Sequence, residues 1–209
     1  MQRNTILRRG PALALVLAWM AAASTLIHSQ TETKGPIERI TGTTVNVTGA
    51  GDPFKIDLLR WSTDAEREQL LASLVKSEKD LASALEKAPT LGYVWTSESA
   101  GYSIRYAHHL MTPDGSERMI VATDRPLGSW DPRIWKAPGS SGSTPYPFTV
   151  IELRFNRQGT GEGKASVLAK VVPDNAAKTI ALDNYAGAPV VLKTVKREGG
   201  GGARKAPSK

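Results

Sequence analysis

Asp124 and Arg125, followed by Trp130, Arg133 and Trp135 in an irregular stretch, are the residues whose types could do the most chemistry together. Indole faces stack on the apolar faces of sugars and peptides, while a carboxylate–guanidinium pair fixes the orientation of a polar ligand. With Tyr146 at the far end of the same stretch, they make the candidate ligand-binding set. Tyr102 and Tyr106 are the strand aromatics expected near it. The competing reading is local: Asp124 caps a turn, Arg125 pairs with it, and the tryptophans close one end of a barrel.

Other constellations promise less. His108-His109 is a pair on one strand, and successive strand residues face opposite sides, so both cannot ligate one metal there. A metal site needs three or four converging ligands, and the chain has no cysteine to help. One histidine is expected to face out and the other to pack. Glu152 and Asp124 would serve a glycoside hydrolase only if they stood about 5–10 Å apart. Alternatively Glu152 and Arg154, two apart on one strand face, pair with charges on a neighbouring strand. Gly159-Thr-Gly-Glu-Gly163 lacks the third glycine and the following helix of a dinucleotide loop, and reads as a hairpin turn. No nucleophile motif is present and no cofactor or metal is called for, so the reading leans away from an enzyme.

These residues need a scaffold, and the pattern supplies a mostly β one. Candidate strands cover 39–48, 54–61, 92–96, 102–110, 117–124, 147–155, 162–172, 178–183 and 189–196, separated by Gly, Pro and Asp turns. Connections this short forbid crossover helices, so the sheet should be antiparallel, as a sandwich or a partly closed barrel. Helical signals are confined to residues 64–87. Thr63-Asp-Ala-Glu66 is a capping-box pattern and Ser77-Glu-Lys-Asp80 is a second helix start, so two short helices should follow the first hairpin. The expected class is α+β, mostly β. Only 125–146 breaks the rhythm, and a structureless loop of that length is usually functional or disordered.

Charge belongs to the ends. Of the 27 Lys and Arg, six lie in residues 1–30 and 199–209, which hold no acid, leaving 21 against 20 acids between them. A basic nucleic-acid-binding domain is therefore not expected. Arg3, Arg8 and Arg9 precede the apolar run from Ala12 to Ala23, which is short for a bilayer span but suited to a signal h-region. The expected organisation is a signal peptide over 1–29, one β-rich domain over 30–198, and a cationic tail over 199–209. The expected location is the periplasm or the extracellular space, with no membrane span after cleavage; a retained anchor is the alternative.

At Arg60-Trp-Ser-Thr-Asp-Ala-Glu-Arg67, Thr123-Asp-Arg-Pro126 and Tyr146-Pro-Phe-Thr-Val-Ile-Glu-Leu-Arg154, the chain resembles an uncharacterised family of exported bacterial proteins. The likeness covers most of residues 38–197, and it implies export but brings no activity, ligand or functional residue. Ala137–Thr144 reads as an addition to a shorter loop in that family.

The expected role is a non-enzymatic exported module that binds a small ligand, a glycan or an envelope protein. The alternatives are an envelope-directed hydrolase using Asp124 and Glu152, and a purely structural envelope protein. Replacing Trp130 and Trp135 together is expected to abolish binding with a modest loss of stability. Removing residues 199–209 should leave the melting temperature almost unchanged, because Gly199 to Lys209 cannot bury apolar surface. A loss of several degrees in a thermal scan would mean that the tail is docked.

Overall fold

In β1 (Glu38–Val45) the chain alternates Ile40, Gly42 and Thr44 on a buried side with Arg39, Thr41 and Thr43 on the other. β2 (Pro53–Leu58) buries Phe54, Ile56 and Leu58 in the same rhythm and pairs back antiparallel on β1. The computed structural model describes residues 35–45, 47, 51–98, 100–131, 135, 146–167, 169–185 and 190–198. The signal and tail assignments, and Arg133, lie outside them.

Two helices follow the hairpin, α1 (Asp64–Lys76) and α2 (Glu78–Lys87). The capping box is present in full: Thr63 Oγ1 accepts from Glu66 N at 3.3 Å, and Thr63 N donates to Glu66 Oε2 at 2.8 Å. Ser77 breaks the helical run with extended backbone and starts the next helix by accepting from Asp80 N at 3.0 Å. Acids in each first turn and Lys76 and Lys87 in the last turns complement the helix dipoles.

The strands resume as β3 (Gly92–Trp95), β4 (Tyr102–Met111), β5 (Glu117–Thr123), β6 (Val150–Phe155) and β7 (Thr160–Ala165), each antiparallel to the one before. β8 (Val171–Asp174) and β9 (Thr179–Leu182) form a hairpin of their own. β10 (Val190–Glu198) then pairs with β7 on one side and β1 on the other, and β3 pairs with β2, so eight strands close into a barrel. Closure removes every edge of that sheet.

Two expectations about the strands change. The single strand expected over 162–172 is two, because at Ser166 the chain leaves the barrel. Its hydroxyl accepts from Val150 N at 2.8 Å and its N–H donates to Val150 O at 2.8 Å, which ends the ladder with a side chain. The described residues therefore hold ten strands where nine were expected. The glycines after Gly159 are also not all turn residues. Gly159 has φ +73, but Gly161 and Gly163 lie within β7, where a Cβ would run into the Arg154 carbonyl and the Leu153 side chain respectively.

The wall has two cores, one on each side. Inside, Ile40, Ile56, Val94, Ile104, Val121, Ile151 and Leu153 fill the barrel with no exposure. Outside, Ile120, Ala122 and Val150 pack with Leu81 and Leu85 of α2 and Ile180 of the hairpin. A bulge in β4 between Ile104 and Tyr106 turns Tyr106 outward into this second core, where its hydroxyl meets Thr179 Oγ1 at 2.5 Å.

Trp135 belongs to the first core. It is 1% exposed, meets Phe54 edge-on with ring centroids 6.5 Å apart, and holds a left-handed φ of 57. The expectation that it could be removed at modest cost is thus corrected: its ring closes one end of the barrel. Trp135→Ala should cost about 3–5 kcal/mol. Trp130→Ala, at a half-exposed position, should cost less than about 0.5 kcal/mol. Urea unfolding of the two variants checks this, and equal midpoints would remove Trp135 from the core.

Candidate functional site

The end of β5 places Asp124 on the outer side of the wall, next to the β4 bulge. Its side chain is 8% exposed and lies between two guanidiniums, Arg105 Nη2 at 3.1 Å and Arg125 Nε at 3.3 Å. Arg105, the bulge residue, also donates to Ala88 O at 2.7 Å and so satisfies a carbonyl at the end of α2. Asp124 therefore ties strand, helix and loop together. Arg125 continues outward, and its guanidinium lies 4.9 Å from the Trp130 ring centroid. Trp130 is 52% exposed.

Glu98, which sequence reasoning missed, anchors this loop. Its carboxylate accepts from Tyr102 Oη, from Thr96 Oγ1 at 3.0 Å and from Asp131 N at 2.6 Å. Tyr102 Oη in turn accepts from Gly128 N at 3.0 Å. Burial, reinforced by the adjacent Glu98 carboxylate, pushes the Tyr102 phenol up to about 12, so it remains a donor. Trp130 is thus presented on a backbone fixed at Gly128 and Asp131. Thr96 and Tyr102 are its near neighbours in sequence, but Asp131 is 33 residues away, so nothing local marks Glu98 as the anchor of this loop.

The remaining candidates are placed apart. Trp135 is inside the barrel end. Tyr146 stacks on Phe148 at 5.3 Å in the outer core, with its hydroxyl donating to Glu78 Oε1 at 3.1 Å. Glu152 is 1% exposed and opposes Ile120 in the β5–β6 register, four residues before Asp124. At roughly 3.3 Å of rise per residue, their backbone positions lie about 13 Å apart along the strands, longer than the carboxylate separation of a glycosidase. Arg154 Nη2 reaches Glu152 Oε1 at 3.0 Å, and Arg118 Nη2 reaches Oε2 at 3.2 Å. Glu152 and Arg154 thus pair on one face and share a neighbouring-strand charge.

The histidines divide between the two sides of the wall. His108 faces α1, where Arg67 Nη1 donates to its Nε2 at 3.3 Å. His109 faces the barrel end opposite Trp135 and stacks on Trp61 at 4.3 Å. There its Nδ1 lies 3.0 Å from Glu117 Oε1, and Arg197 Nη1 donates to Glu117 Oε2 at 2.8 Å. Among the described residues, no group of three or more His, Asp or Glu side chains is placed to hold a metal ion.

By class, then, the fold is a closed eight-stranded antiparallel barrel with its interior filled by side chains and an exposed Trp–Arg pair at one plugged end. No family model matches the chain, and neither the curated proteins nor the solved structures compared with it give a match.

Two half-buried groups contribute to the acid sensitivity of this fold. Burial raises the Glu117 carboxyl, but hydrogen bonds from His109 and Arg197 outweigh it and hold the group near 2. A lowered folded value means stability that is present above the unfolded pKa and is lost as pH falls from about 4.5 toward 2. Burial, then the Arg67 charge, lowers His108 to about 4. Folding there excludes the proton, so stability is also lost as pH falls from about 6.5 toward 4. Urea midpoints measured against pH should fall through both windows. Glu117→Gln should shallow the fall in the lower window, where Glu66 and Asp114 also titrate, and His108→Gln the fall in the upper one; unchanged profiles would refute the assignment.

Proposed function

We propose that the chain is an exported, non-enzymatic module that binds a carboxylate-bearing glycan at the plugged end of its barrel. The observation that carries this reading is Trp130, left 52% exposed beside the Arg125 guanidinium while Glu98 fixes the backbone beneath it. A large aromatic held rigidly in water at the edge of a filled barrel costs little entropy to engage. Its face suits the C–H face of a sugar ring, and the guanidinium edge suits a carboxylate. Export rests on the basic, then apolar, N-terminal pattern and on the likeness to exported bacterial proteins. Periplasm or extracellular space is the compartment proposed, and nucleic acid is not a proposed partner.

A specific observation favours a second reading, that of a structural envelope protein: Trp135 already fills the barrel end where a ligand could enter. Fluorescence titration separates the two. Uronic-acid oligosaccharides, neutral oligosaccharides and acidic peptides are titrated against the full chain and its Trp130→Ala variant. Binding of the uronic acids, weakened at least about tenfold in the variant with little change in stability, supports the module. No saturable change with any of the three supports the structural reading.

A further inference from the structure

The outer face of β5 and β6 carries a second feature, on a different part of the wall from Trp130. A groove of about 650 Å³ runs between this face and the β8–β9 hairpin, lined by Arg118, Glu152, Arg154, Asp174, Asp183 and Tyr185. The volume suits a small molecule. Part of the lining is already committed to holding the rest. Buried Glu152 accepts from Arg154 Nε and Nη2 at 3.2 and 3.0 Å, and Arg118 bridges from Glu152 to Asp174, which it reaches at 2.8 Å. Arg154 is further steadied by the Tyr185 ring, 3.6 Å from its guanidinium carbon.

Three donors of this lining make no hydrogen bond among the described residues: Arg118 Nε, which stands 3.0 Å from Glu152 Oε1 as an ion pair, Arg154 Nη1 and the Tyr185 hydroxyl. The bonds of Arg154 use Nε and Nη2, leaving Nη1 on a side chain that is 51% exposed. The Tyr185 hydroxyl is buried with no partner. Burial pushes this phenol up to about 12, so at neutral pH it carries a proton to donate. A buried donor left unpaired is costly, and a ligand oxygen would satisfy it. The charge of the lining then sets the kind of ligand. Two guanidiniums stand against three carboxylates, Glu152, Asp174 and Asp183. A dianion meets net repulsion there, whereas a single carboxylate accompanied by an ammonium group is balanced. Asp183, which is exposed, supplies an acceptor for that ammonium.

We infer that this groove binds a zwitterion, an amino acid or the end of a short peptide, with its carboxylate on Arg154 and Tyr185 and its ammonium toward Asp183. The site is independent of the Trp130 platform, and Trp130→Ala leaves it intact. The test is an amide NMR titration of the full chain with glycine, diglycine, N-acetylglycine and inorganic phosphate. Saturable shifts at β6 and the β8–β9 hairpin with glycine identify a free amino acid, and with diglycine alone a peptide end. Acetylating the amine should weaken binding. Tyr185→Phe should weaken it about tenfold, the worth of a hydrogen bond to a charged group, while the melting temperature holds or rises. A hydroxyl with a structural role would instead lower the melting temperature. That result, phosphate binding as tightly as the zwitterions, or no saturable shift with any of the four, overturns the assignment.

Discussion

The pairing of β10 with both β1 and β7 is the constraint on which the rest of the structure depends. Once eight strands close, the interior is just wide enough for side chains to fill. Ile40, Ile56, Val121, Leu153 and their neighbours fill it. Segments that do not belong to the barrel must then either cover its wall or cap its ends. The helices and the β8–β9 hairpin do the first, and the Trp135 ring does the second.

This division gives β4, β5 and β6 two buried faces instead of one. Their outward positions alternate between apolar residues, such as Tyr106, Ile120 and Val150, and charged ones, such as Arg118, Glu152 and Arg154. A carboxylate at 1% exposure is tolerable only when its oxygens are bonded, and Glu152 is bonded by two guanidiniums. The same logic holds at Asp124 between Arg105 and Arg125, and at Glu117 between His109 and Arg197. Each acid joins segments distant in sequence, so these pairs specify how the pieces fit around the barrel.

Where covering and capping segments meet the wall, polar groups are left over. Trp130 with Arg125 is one such place, and the groove by Tyr185 is another. Both lie outside the filled interior beside a carboxylate that organises its surroundings: Glu98 holds the Asp131 backbone in the first case, and Glu152 holds the Arg118 and Arg154 side chains in the second.

The sequence by itself determined the mostly β class, the antiparallel pairing, both helices and their caps, because these rest on local periodicity and on side chains three residues from their partners. It also determined that Glu152 and Arg154 share a face, which strand alternation dictates. Closure of the sheet was beyond it, since the contacts of β10 with β1 join residues at opposite ends of the domain. So were the fates of Trp130 and Trp135, which have the same side chain five positions apart, yet one is half exposed and the other fills the barrel end. The break at Ser166 was hidden because a hydroxyl accepting from Val150 N is invisible to a hydrophobic pattern. The groove required Arg118 to meet Asp174, 56 residues away, and only the folding of the hairpin onto the wall brings them together.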